Sequence, residues 1–133
     1  MPSAPPAPVL DIDALRVLGE ELGDADVLCS FLRRYLSMLE RRIERLEQAL
    51  SIADRDGWMD AALSLKTSSA MAGAHALSEQ VASLQEGFAA LASGAARRCA
   101  AEGIACVRRI AAETARQLWL YLQGIASPAE RVR

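Results

Sequence analysis

The sequence predicts an all-α protein, an antiparallel up-and-down four-helix bundle with a short N-terminal cover helix. Alanine and leucine, which form helices readily, dominate a chain whose hydrophobic content is 52%. Apolar residues recur at steps of three and four, whereas the alternating pattern of β-strands is absent. Short breaks separate the amphipathic stretches, and short connections make consecutive helices antiparallel. The 133 residues suit a single domain.

The chain is expected to contain one folded unit between two tails. Residues 1–9 hold four prolines and are predicted to form a disordered leader, since proline fixes φ and lacks an N–H donor. The helical bundle is expected over residues 10–126, and residues 127–133 are predicted to form a flexible tail.

The first two helices have clear start and stop signals. Asp11 or Asp13 can cap the cover helix and Gly23 ends it; its apolar residues are Ile12, Leu15, Leu18 and Leu22. A long helix is predicted over residues 25–53, with Asp24 as its N-cap. Its apolar residues follow a heptad pattern, which is typical of helices in a bundle. They are Leu32, Leu36, Leu39, Ile43, Leu46 and Leu50. The rival interpretation is a two-stranded coiled coil, which would make the chain a structural or oligomerisation module and a possible homodimer.

Three more helices are predicted after Gly57. Asp56 can cap a third helix over residues 57–71, whose buried face would contain Trp58, Ala62, Leu65 and Ser69. A fourth helix is predicted over residues 74–92 and a fifth over residues 95–124. Their apolar seams are Leu77, Val81, Leu84, Phe88 and Leu91, and Val107, Ile110, Thr114, Leu118, Tyr121 and Ile125. Gly103 should weaken the fifth helix by roughly 1 kcal/mol relative to alanine.

The charge distribution excludes several function classes. The net charge is −2, and the arginines between residues 33 and 45 alternate with glutamates, which indicates a solvated helix face with i,i+4 pairs and no nucleic-acid binding. No apolar stretch is long enough to span a membrane. Cys29, Cys99 and Cys106 do not form a disulfide or metal pattern, so a reducing, cytoplasmic setting is expected. No metal and no cofactor are predicted.

One segment carries a specific motif. Residues 61–77 read AALSLKTSSAMAGAHAL. This segment resembles the signature of the histidine-containing phosphotransfer (HPt) family, which is His-x-Leu-Lys-Gly-Ser-Ser/Ala followed by Gly-Ala and a leucine. The matching positions are Ala62, Leu65, Lys66, Ser68, Ser69, Gly73, Ala74 and Leu77. The resemblance implies a helical bundle that takes part in two-component or phosphorelay signalling of the bacterial type.

The chain departs from this signature at two positions. Leu63 occupies the position of the family's phospho-accepting histidine, and Thr67 stands where the family usually has glycine. Leucine has no nucleophilic atom, so phosphoryl capture at this position is chemically impossible. The resemblance therefore implies a degenerate member, a protein-binding module that is not an enzyme and has no catalytic residue. Its expected partner is a response-regulator receiver domain or a sensor kinase.

The expected partner-binding residues lie away from the buried face of the third helix. At about 100° per residue, Leu63 points roughly 120° away from the direction of Trp58, Ala62, Leu65 and Ser69. A second, largely exposed face is therefore predicted, and family members use this face for docking. It consists of Met59, Leu63, Lys66, Thr67 and Ala70. Lys66 would either pair with an acidic receiver surface or be solvated.

His75 is the only histidine of the chain, and it gives a further alternative. An active phosphotransfer protein could use it in place of the missing acceptor. His75 follows Leu63 by twelve residues and begins the next helix, so it is expected at the tip of the bundle and away from the docking face. Ser68 and Ser69 are expected to bond to the preceding turn of their own helix and not to act as nucleophiles.

Overall fold

A computed structural model of the protein describes residues 8–86 and 94–126. In these ranges the chain forms five α-helices and no strands: α1 (Ile12–Leu22), α2 (Ala25–Ser51), α3 (Arg55–Met71), α4 (His75–Glu86) and α5 (Gly94–Ala126). Helices α2 to α5 pack as a ring of neighbours, in the order α2, α3, α4, α5 and back to α2, while α1 packs against α2. The predicted four-helix bundle with a short cover helix is therefore confirmed. The predicted leader and tail lie largely outside the described residues.

Aspartates begin the first three helices. The carboxylate of Asp11 accepts a hydrogen bond from the Ala14 N–H of α1, and that of Asp24 accepts from Asp26 in α2. Helix α3 differs from the prediction, because Asp54 and not Asp56 is its N-cap and the helix begins at Arg55. A Cβ atom on Gly57 would lie within 3 Å of the Asp54 carboxylate, so glycine leaves the space that this cap needs.

The junction between α3 and α4 also depends on glycine. Gly73 has a φ of 76°, in the left-handed region that L-residues rarely adopt. Its carbonyl accepts a hydrogen bond of 2.8 Å from the N–H of Asp11, and a Cβ atom here would lie 3.1 Å from the Asp11 carbonyl oxygen. The backbone of Pro8 makes a similar contact, since its carbonyl accepts from the N–H of Ala76. The segment before α1 is thereby fastened to this end of the bundle.

Among the residues that the structure describes, the core is aliphatic apart from Trp58 and Tyr35, and the α2 seam lies inside it. Leu32, Leu39, Ile43 and Leu46 are buried within this one chain, and Leu36 and Leu50 pack against them half-buried. The heptad seam is therefore not available to a second chain as a coiled coil. Of the predicted α1 residues only Leu15 is buried, because α1 packs mainly against α2 and leaves Ile12 and Leu22 exposed. Phe88 and Leu91 lie outside the described residues.

Helices α2 and α5 run antiparallel, and Arg108 forms ion pairs between them. Arg108 of α5 donates to Glu47 over 3.0 Å and to Glu40 over 2.9 Å, and both glutamates belong to α2. These hydrogen bonds lower the pKa of the Glu47 carboxyl. The sequence had predicted intrahelical pairs for these glutamates. Because α2 and α5 are adjacent, both glutamates instead bind Arg108 of α5.

A buried hydrogen bond joins α2 to α3. The hydroxyl groups of Tyr35 and Ser69 lie 2.7 Å apart, and both residues are buried. Burial raises the pKa of Tyr35 to about 12.

We expect Tyr35→Phe and Ser69→Ala each to lower the free energy of unfolding by about 1–3 kcal/mol, because each leaves one buried hydroxyl without its partner. The double variant should lose less than the sum of the two losses, because no unpaired hydroxyl remains. Urea unfolding followed by circular dichroism measures all three. Additive losses would show that the two hydroxyl groups are not coupled.

Candidate partner-binding face of helix α3

Helix α3 buries one side and exposes the other. Trp58, Ala61, Ala62, Leu65 and Ser69 are buried against α2 and α4. The opposite side carries Leu63, whose side chain is 50% exposed. The helical spacing predicted that α3 would bury one side, and it also predicted that Leu63 would point away from that side. The structure shows Leu63 pointing away from the buried side. The side chain of Leu63 therefore faces solvent.

The five predicted partner-binding residues do share one side of α3, although they are not equally exposed. Leu63, Thr67 and Ala70 are exposed, whereas Met59 and Lys66 are half-buried. Met59 packs against the core cluster. We call these five residues the α3 face. Its three exposed residues, Leu63, Thr67 and Ala70, lie along the helix. The half-buried Met59 and Lys66 border them and contact the rest of the bundle.

Lys66 is held by the neighbouring helix. Its ammonium group donates a hydrogen bond of 2.9 Å to the amide oxygen of Gln85 in α4. Its carbonyl accepts a hydrogen bond of 3.0 Å from the hydroxyl of Ser78. Neither prediction for this side chain included Gln85, since nineteen residues separate the two positions. An amide is neutral, so this hydrogen bond does not neutralise Lys66, and among the described residues no carboxylate forms an ion pair with it.

The hydroxyl groups that follow Lys66 are committed to structural contacts. Ser68 donates to the Ser64 carbonyl at 2.8 Å, as predicted for a hydroxyl within a helix. Ser69 instead contacts Tyr35, as described above. Thr67 is exposed. The hydroxyl of each serine is therefore hydrogen-bonded to a structural partner and not to a general base.

His75 belongs to a different part of the bundle. It is the first residue of α4, and its Nε2 atom lies 3.1 Å from a carboxylate oxygen of Asp11. The pKa of Asp11 is lowered, mainly by the backbone N–H of Ala14 and further by His75. This contact adds to the backbone hydrogen bonds that fasten the residues before α1 to the α3–α4 junction. His75 thus helps to hold the cover helix against the bundle.

Neither a metal site nor a disulfide is present in the part of the chain that the structure describes. No group of three or more histidine, cysteine or carboxylate side chains converges there. The three cysteines are free, and Cys99 is exposed. Among the described helices, none combines the length and apolarity needed to cross a lipid bilayer.

Comparison with known proteins identifies the family. The Hpt domain family matches residues 30–118, which is more than half of the chain and includes all of α3 and α4. Neither the search of curated proteins nor that of solved structures gave a match. Hpt domains are phosphotransfer modules of phosphorelay signalling, in which they interact with response-regulator receivers and kinases. The chain, an all-helical bundle with the family's motif on its third helix, therefore belongs to the Hpt domain family.

Proposed function

We propose that this Hpt domain binds a receiver domain or a sensor kinase without accepting a phosphoryl group. The observation that carries the proposal is Leu63. It stands three residues before Lys66, at the spacing of the family's acceptor histidine, and its side chain is exposed. A leucine side chain has no lone pair with which to form a P–N bond. A receiver can meet this surface but cannot pass its phosphoryl group to it.

The chemistry of the α3 face favours protein binding. Leu63 gives an exposed apolar centre, and Thr67 and Ala70 extend the strip without charge. Lys66 adds one positive charge at the border, directed toward Gln85. Leu63 is 50% exposed, so burying the rest of its side chain on association contributes about 1 kcal/mol. The domain would then act by occupying the partner's docking surface, as a competitor or as a scaffold.

Thr67 is compatible with a domain that docks onto its partner but does not accept a phosphoryl group. Relatives usually have glycine at this position, which gives a receiver close access to the imidazole. Here there is no imidazole to reach, and Thr67 is exposed beside Leu63. The added methyl and hydroxyl groups are compatible with a contact surface that does not need in-line approach.

The experiment compares two charged substitutions of exposed leucines. Leu63→Asp should weaken binding to a receiver or kinase by about ten- to a hundredfold, since it removes the apolar contact and places a charge in the interface. Leu120→Asp is the matched control, because Leu120 is 55% exposed and lies on α5. Titration calorimetry against purified receiver domains gives both affinities, and light scattering tests the possible homodimer in the same samples. Equal affinities of the two variants would contradict the proposal.

A further inference from the structure

Glu40 and Glu47 of α2 lie on a different side of the helix from Arg34 and Arg42. Arginine and glutamate alternate in the sequence, yet Glu40 and Glu47 both turn toward α5, where they share Arg108. The side of α2 that borders α3 keeps its arginines without these partners. Within residues 8–86 and 94–126, no carboxylate lies within ion-pair distance of Arg34 or Arg42. A chain of net charge −2 therefore has a locally basic border beside the α3 face.

Arg34 and Arg42 line a groove of about 250 Å³ between α2 and α3. Its other lining residues are Phe31, Tyr35, Met38 and Ser68. The groove is thus built from two guanidinium groups and a largely apolar wall, and no acidic residue lines it. Ser68 lies about 100° around α3 from Thr67, toward α2 and away from Lys66, so the groove lies on the α2 side of the α3 face, next to the edge formed by Thr67.

The hydrogen-bonding groups in the groove select the kind of ligand. The Tyr35 hydroxyl forms a hydrogen bond with the Ser69 hydroxyl, and the Ser68 hydroxyl donates to the Ser64 carbonyl. Arg42 makes only a weak contact with the sulfur of Met38, at 3.7 Å. The donors still available to a ligand are therefore those of the two guanidinium groups, which pair best with a carboxylate. The apolar wall favours a hydrophobic side chain next to that carboxylate.

We infer that this groove receives an acidic side chain, flanked by an apolar one, from the protein that docks on the α3 face, and that Arg34 and Arg42 determine which receiver or kinase binds. The inference rests on the proposed docking function and names a second contact within it. Charge complementarity identifies the occupant as an acidic surface segment of a protein. Arg34 is exposed and Arg42 half-buried, and charges at the rim of an interface mainly set partner choice and association rate.

The test uses charge reversal at matched positions. Arg34→Glu with Arg42→Glu is compared with Arg98→Glu together with Arg109→Glu, two exposed arginines of α5, a helix that packs against α2 and α4. Both double variants change the net charge equally, so general repulsion is the same in each. The probes are purified receiver domains titrated at two salt concentrations, and Arg34→Gln with Arg42→Gln serves if the glutamate variant does not fold.

The expected result is a loss of about tenfold or more in affinity for the groove variant, with a weaker salt dependence, and less than about threefold for the α5 variant. Equal losses would overturn the inference. Receivers that bind the wild-type chain, and lose affinity with Leu63→Asp but not with the groove variant, would overturn this inference alone. Failure of the wild-type chain to bind any receiver or kinase would overturn the proposed function and this inference together.

Discussion

Replacing Leu63 by histidine together with Thr67 by glycine is expected to convert the chain into a phosphoryl acceptor. The new imidazole would stand at a position that is 50% exposed, on the side of α3 opposite the core. Lys66, one turn further along the helix, would place a positive charge near the transferred group. The phosphoryl group would leave the aspartyl phosphate of a receiver as its P–O bond breaks, and a P–N bond would form to the imidazole.

The physical cost of this conversion is small. Thr67 is exposed, so glycine there removes no core contact and costs about 1 kcal/mol in helix propensity or less. The measurement is acid-labile label on the chain after incubation with a phosphorylated receiver. Leu63→Gln with Thr67→Gly is the control, because it is polar and similar in size but has no nucleophilic nitrogen. Leu63→His alone shows how far Thr67 obstructs the transfer.

A folded Leu63→His, Thr67→Gly variant that binds the receiver and takes no label would show that position 63 is not equivalent to the acceptor position of the family. The binding measurement is essential to this test. It separates a wrong position from a wrong partner, because a receiver that does not dock cannot transfer its phosphoryl group to any site.

Trp58→Ala is expected to be among the most destabilising single substitutions in the chain. Trp58 is 1% exposed and has the largest of the fully buried side chains in the described ranges. Its indole N–H also donates a hydrogen bond of 3.2 Å to the carbonyl of Leu84 in α4. Truncating such a side chain leaves a cavity and an unpaired carbonyl, and we expect a loss of about 3–5 kcal/mol in the free energy of unfolding.

The second tryptophan gives the matched control. Trp119 is 47% exposed, and Arg33 lies over its ring at 5.8 Å from the centroid. An exposed cation–π contact of this kind contributes about 0.5–1 kcal/mol, and the covered half of the ring adds packing, so Trp119→Ala should cost more than that contact alone but clearly less than Trp58→Ala. Urea unfolding curves with circular dichroism give both values. If the two variants lost similar amounts of unfolding free energy, this would contradict the conclusion that the buried Trp58 side chain holds α3 between its neighbours.

The helical spans and the inner face of α3 were predictable because both depend on local periodicity. Trp58, Ala62, Leu65 and Ser69 repeat at steps of four and three, and all four are buried. The N-cap of α3 was predicted wrongly, since Asp54 and Asp56 satisfy the same capping rule. The backbone decides between them: Ala53 has a φ of 54°, and the Asp54 N–H donates back to the Ala49 carbonyl, so the chain reverses before Asp54.

The polar contacts of the candidate site depend on distances across the bundle. Lys66 meets Gln85, and Tyr35 meets Ser69, through helix neighbours that no local pattern specifies. Arg108 draws two glutamates of α2 toward α5, and this leaves the α3 border of α2 basic. A sequence in which arginine and glutamate alternate does not reveal such a separation. The exposed position of Leu63 was predictable, whereas the charge beside it was not.

The central claim is that the chain docks in a phosphorelay but carries no phosphate. The most direct measurement is native and intact-mass spectrometry of the unmodified chain after incubation with phosphorylated receiver domains and an active sensor kinase. We expect a complex with at least one of them and an unmodified mass for this chain. A phosphorylated mass would contradict it, and loss of that modification in His75→Ala would identify His75 as the acceptor.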